Sequence, residues 1–200
     1  MSDPATHATT LFGLAAVRAA VREVDADATR DAELVRLANG ISALIERETR
    51  RIFVTRAFTE VRDGDGGHQL FLYQRPITTF TSLTIRRWPT DTTPETITSD
   101  RYQVNLETGL VHLWADTLTR GVANVTAAYS AGYGAQDGTT LPLDLYQAGL
   151  DLVAHVWQQA KAGGLAAQTV TMANGQTFVP RERWPLHVQR AIDDWTRRGW

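Results

Sequence analysis

Between Phe53 and Tyr129 the apolar residues of this chain fall at alternating positions in short runs, whereas on either side they recur at every third and fourth position. A period of two sorts side chains onto the two faces of a strand, and a period near 3.6 gathers them on one face of a helix. The chain must therefore fold as helices interrupted by a β insertion. Candidate strands are VTRAFTEVR, HQLFLY, TSLTIRRW, YQVNL, GLVHLW and NVTAAYSA, rich in Thr, Val, Tyr and Phe and separated by Gly, Pro, Asn and Asp. No crossover helix fits between runs so closely spaced, so the strands are expected to pair antiparallel. The segment PTDTTPETITSD is expected to be an exposed loop.

Before the insertion, Leu14, Val17 and Val21 predict a short helix, and Leu34, Leu37, Ile41, Leu44 and Ile45 predict a longer one over about 31–51. After it, Pro142 opens a helix whose core side carries Leu145, Ala148, Leu152, Val153 and Val156, running to Gly163 and Gly164. Asn174–Gly175 suits either a hairpin or an arm. A last helix begins at Pro185, with Val188, Ile192 and Trp195 on one face and Gly199 placed to end it. The expected fold is α+β: a mainly α-helical bundle with an inserted antiparallel β-meander and hairpin region, then a C-terminal arm and helix. Its parts are N-terminal helices at 11–52, the insertion at 53–131, a core helix at 141–162 and the arm with its helix at 163–200.

The chemistry open to such a chain is limited. The 200 residues contain no cysteine, which removes thiolate nucleophiles, thiolate metal sites and disulfides. No run approaches the roughly 18 apolar residues of a membrane span, and no basic start precedes an apolar stretch. A net charge of −2 argues against a surface that grips phosphates along its whole length.

The cluster Asp63, Gly64, Asp65, Gly66, Gly67 superficially resembles a calcium loop, but the third oxygen ligand and the later bidentate Glu are missing, and a turn between antiparallel strands explains it. Gly132 and Gly134 in SAGYG lack the third glycine and the adjoining helix of a phosphate loop. The five histidines have no metal-ligand spacing. Asp151 and His155, four apart on one helix, offer an oriented imidazole or an ordinary surface contact. No catalytic, cofactor-binding or metal-ligating residue is expected. A rival reading is a metal-assisted hydrolase built on Asp63, Asp65 and His68, or on Asp151 and His155. The least bland feature is the segment 181–200, with three of the six tryptophans and five arginines. These residue types favour protein–protein anchors, because a rigid ring or planar fork gains contact at little entropic cost.

The collinear set SALIERETRRIF, DGDGGHQLFLYQRPITTFTSLTI, YQVNLETGLVHL, VTAAYSAGY and LPLDLYQAGLDLVAHVW, closed by WPLHVQRAIDDWTRR, resembles the head–tail connector proteins (adaptor or head-completion proteins) of long-tailed bacteriophages and gene transfer agents. The likeness spans about residues 11–160. It implies a non-enzymatic virion protein at the head–tail interface, assembled in the host cytoplasm, with no cofactor. About a dozen copies would form a homo-oligomeric ring between the portal protein and a tail-side stopper or completion protein. Double-stranded DNA would pass through the lumen without specific binding, and no membrane is involved. A tail-completion or other virion ring component is the nearest alternative. On this reading Trp184, Val188, Ile192, Trp195, Arg198 and Trp200 are expected to contact the portal. Asp63 to Gly67 and the loop Pro89 to Asp100 are expected to contact ring neighbours or the tail side.

Overall fold

In a computed structural model the chain divides into two units, one made of residues 55–133 and the other of residues 1–54 with 134–200. The structure describes residues 10–23, 27–88, 90–135, 140–161, 170–171, 177–178 and 184–196.

The first unit is the β insertion. Its strands are β1 (Arg56–Gly64), β2 (Gln69–Phe71), β3 (Ile77–Ile85), β4 (Glu95–Ile97), β5 (Tyr102–Asn105), β6 (Leu110–Leu113) and β7 (Gly121–Ala131). They form one sheet in the order β1-β7-β3-β4 and a second in the order β2-β6-β5, and all pairings are antiparallel. Only β3–β4 and β5–β6 join sequence neighbours, so the insertion is less of a meander than the spacing suggested. The long strand β7 sits between β1 and β3, pairing Phe58 with Tyr129 on one side and Phe80 with Tyr129 on the other. Alternation then does the sorting. Val125, Ala127, Tyr129 and Ala131 turn inward with Leu83, Ile85, Ile97, Val111 and Leu113 to make one buried cluster.

Strand β4 corrects the expectation of an exposed loop. Glu95, Thr96 and Ile97 pair with Ile85, Thr84 and Leu83, and Ile97 is buried. A strand of three residues with one apolar side chain shows no period, so only its partner reveals it.

The second unit is helical: α1 (Leu14–Val21), α2 (Ala28–Thr49), α3 (Leu143–Lys161) and α4 (Leu186–Trp195), with a short antiparallel pair β8 (Val170–Thr171) and β9 (Thr177–Phe178). Asp27 caps α2 by accepting the Thr29 amide at 2.9 Å, and α1 and α2 end on Arg22 and Arg50 in the left-handed conformation. The core is built from Leu11, Phe12, Val17, Leu34, Ile45, Leu145, Leu152, Val153, Val188 and Ile192. All five residues expected on the core side of α3 are buried. Gly149 on α3 makes room for Phe12, since a Cβ there would lie 2.3 Å from the ring. Arg18 of α1 is paired with the buried Asp31 of α2, Nε to Oδ1 at 2.8 Å. That hydrogen bond holds the Asp31 carboxyl below its ordinary value against the opposing effect of burial.

Candidate interaction surfaces

The acidic glycine cluster is a turn whose polar groups are already committed. Asp63 Oδ1 accepts the Ala123 amide at 2.7 Å, and Asp65 Oδ1 accepts the Gly67 amide at 2.7 Å. Gly64 donates to Asn124 Oδ1 at 2.8 Å, Gly66 donates to Leu118 O at 2.7 Å, and Gly67 O accepts the Leu118 amide at 2.8 Å. Arg120 Nε donates to Asp65 O at 3.0 Å. A Cβ on Gly64 would meet Thr119 O at 2.0 Å, and Gly66 holds φ at +86°. The turn is therefore stitched to the segment 118–124. The strands it joins belong to different sheets, since β1 pairs with β7 and β2 with β6, so it is not the tip of a hairpin as expected.

Neither proposed catalytic grouping is assembled. His68 Nδ1 lies 2.8 Å from Asp116 O, apart from Asp63 and Asp65 in its bonding. Asp151 bonds Gln147 and His187, the latter at 3.1 Å, whereas His155 bonds Gln159 at 2.7 Å. The four-residue spacing permitted an Asp151–His155 pair, but a carboxylate on that face meets α4 instead. Among the described residues no group of three or more His, Asp or Glu side chains is placed to hold a metal ion.

The terminal helix is seated within its own unit, on α3 and α2. Trp184, Val188 and Ile192 are 3%, 0% and 0% exposed, so these three expected portal contacts face inward. The half-buried Trp195 is held from three sides. Its Nε1 donates to Asp144 Oδ2 at 2.7 Å, its carbonyl accepts Arg51 Nε at 2.9 Å, and its ring meets the Phe53 ring edge to face at 6.0 Å. Arg198 and Trp200 lie outside the described residues. The outward side of α4 presents Leu186, His187, Arg190, Ala191 and Asp194, which line an open groove with Asp144.

Two polar networks stiffen the β unit. Arg87 and Arg101 both reach Asp116 Oδ1, at 2.9 and 2.5 Å, and both reach Glu95. The Arg87 hydrogen bond holds the Glu95 carboxyl below its ordinary value, opposing burial, with Arg101 adding to the effect. In the second network Tyr129 Oη donates to Glu60 Oε2 at 2.7 Å and accepts the Gln74 amide at 3.2 Å. Burial, followed by the bond to Glu60, raises the Tyr129 hydroxyl above the ordinary tyrosine range. Arg62 Nε lies 2.7 Å from Glu60 Oε1 without a directed N–H bond, an ion pair by proximity alone, while the guanidinium stacks 3.8 Å over the Tyr73 ring.

Reading from the sequence alone missed the exposed apolar residues of this unit. Trp88 is 69% and Val122 87% exposed, and Trp114 is also largely open. A parity signal for Trp88 exists: with Leu83 and Ile85 inward, position 88 falls with Thr84 and Arg86 on the other side.

Three solved structures share the fold. A chain from the neck of an empty gene transfer agent particle, computed with C6 symmetry, is 20% identical with a TM-score of 0.64, covering 100% of this chain and 98% of its own length. A chain from the virion of a native gene transfer agent particle is 20% identical with a TM-score of 0.62, covering 98% and 95%. A chain from the neck of a native particle computed with C12 symmetry is 21% identical with a TM-score of 0.58, covering 100% and 98%. Identity at this level establishes the fold alone. No curated protein matches the sequence. The family described as "Head completion protein" matches residues 19–194, which takes in the whole β unit and, in the helical unit, the stretch from the end of α1 to the penultimate residue of α4. A match of that extent makes the chain a member of the head completion protein family.

Proposed function

We propose that this protein is a structural component of the virion neck, forming a ring between the portal and the tail-side components. The observation that carries the reading is the family match over residues 19–194. Support comes from the shared fold with chains of particle necks computed with C6 and C12 symmetry, and a ring of about a dozen copies agrees with the latter. DNA passing through such a ring should not be gripped, because each phosphate neutralised adds counterion-release affinity and slows transit. A net charge of −2 is compatible with that.

Within the subunit, Trp184, Val188 and Ile192 fix α4 in place, so portal contact falls to the end of the chain: Trp195, Arg198 and Trp200. The turn Asp63 to Gly67 and the stretch of the 89–100 segment ahead of β4 form contacts with ring neighbours or the tail side. The bonds from 63–67 to 118–124 support this by holding the turn in one conformation. The role is non-enzymatic.

The test is co-sedimentation with portal protein and a chain ended after Thr196, which keeps α4. The full chain should bind, and the shortened chain should unfold at the same denaturant concentration yet bind weakly. Equal binding by both would overturn the assignment of Trp200 and Arg198 to the portal. A thermal shift with Mg²⁺, Mn²⁺ or Zn²⁺ would instead favour the hydrolase reading, because site binding stabilises the native state by mass action.

A further inference from the structure

We infer that neighbouring copies dock through two different faces of the helical unit, the outward face of α2 on one copy entering the α3/α4 groove of the next. The inference rests on the ring reading above and names the surfaces that make it.

The outward face of α2 carries Ala32, Arg36, Gly40, Ala43 and Arg47 at intervals of three and four, so they share one side of the helix, and Arg50 stands at its C-terminal cap. All but the half-buried Gly40 are exposed. Arg36 and Arg50 have no partner among the described residues, and Arg47 reaches its neighbour Glu48 at 3.2 Å. Glu33 lies at the border of this face. Between the arginines the surface is made of two alanines and a glycine, which leaves a shallow trough.

The groove has the opposite character. Asp144 and Asp194 line it, Asp151 borders it through His187, and Arg190 is its one arginine among the described residues. Asp194 has no partner among the described residues. Leu186 on the groove and Leu143 beside Asp144 are 61% and 69% exposed, large apolar side chains left in water. Two complementarities thus coincide. Three arginines and two carboxylates, Glu33 and Glu48, meet three carboxylates and one arginine, and protruding leucines meet a trough of Ala and Gly. Glu33 can face Arg190 in the same arrangement.

The charge pattern also decides the symmetry. Pairing either face with its own copy sets like charges together, which is unfavourable. Pairing the two unlike faces is heterologous, the only kind of contact that closes into a ring of more than two copies around one axis.

The test uses two variants, R36E/R50E on α2 and D194R on the groove. Arg36, Arg50 and Asp194 contribute no described contact to the fold, and thermal melts check that each variant is folded. Self-association is followed by native mass spectrometry and sedimentation at several ionic strengths. Each variant alone should associate at least about tenfold more weakly than wild type, and wild-type association should weaken with salt. An equimolar mixture should recover part of the loss, because the α2 face made acidic in one variant then meets a groove that D194R leaves with two arginines against two carboxylates. Variants that assemble like wild type, or a mixture that recovers nothing, overturn the pairing and leave the ring intact. A wild-type protein that never associates overturns the ring reading and this pairing with it.

Discussion

At the scale of single residues, two glycines carry more of the structure than their size suggests. At Gly64 a methyl group would collide with two backbone oxygens, of Thr119 and Leu118, and no rotamer change relieves backbone. Gly64→Ala should lower stability by about 1–3 kcal/mol or more, read as a lower urea midpoint, whereas Gly13→Ala, with open space around it, should cost no more than the roughly 1 kcal/mol preference for Gly over Ala at the N-cap of α1. Gly149→Ala sets two effects against each other. Helix propensity gains about 1 kcal/mol, but the added carbon meets the fully buried Phe12 and Ile45, and overpacking of about 1–3 kcal/mol should leave the variant less stable. A midpoint above wild type would contradict that balance. Residue roles were only partly legible in the sequence. The turn at 63–67 was, because Asp and Gly suit positive φ and local amide bonding. The partner of Asp151 was not, because His187 is brought beside it by packing between two helices far apart in the chain.

At the scale of elements, α4 is the decisive case. Its apolar stripe was readable from spacing, but spacing says nothing about which surface receives it, and the structure seats Val188 and Ile192 in the subunit's own core. Ile192→Ala should therefore cost about 2–5 kcal/mol of stability with no partner present. A variant as stable as wild type would mean that the helix is not seated in solution. Helices in general were legible because their periods are long enough to count, while β4 was too short. Ion pairs between elements predict an acid dependence. Glu95 and Asp31 are held below their ordinary values of 4.5 and 3.8 in the folded chain, chiefly by hydrogen bonds from Arg87 and Arg18. A carboxylate depressed by folding contributes stability that is complete above its unfolded value and disappears as pH falls through its folded value. Urea midpoints should hold steady above about pH 5.5 and drop below about pH 4.5, and the drop should be shallower in Glu95→Gln. A midpoint that rises on acidification would contradict the pairing.

At the scale of the whole molecule, the helix–strand–helix order was legible from the change of period, and the pairing order was not. Strand β7 sits between β1 and β3, partners separated from it by dozens of residues, and no local pattern encodes such a choice. The two units nevertheless fit one account, in which a chain with few committed reactive groups offers several distinct surfaces to other proteins. The measurement that tests this most directly is electron cryo-microscopy of the purified protein mixed with a portal protein. A closed ring of this chain, coaxial with one end of the portal and open at its centre, is the predicted result. Portal rings that remain bare at saturating protein would contradict it.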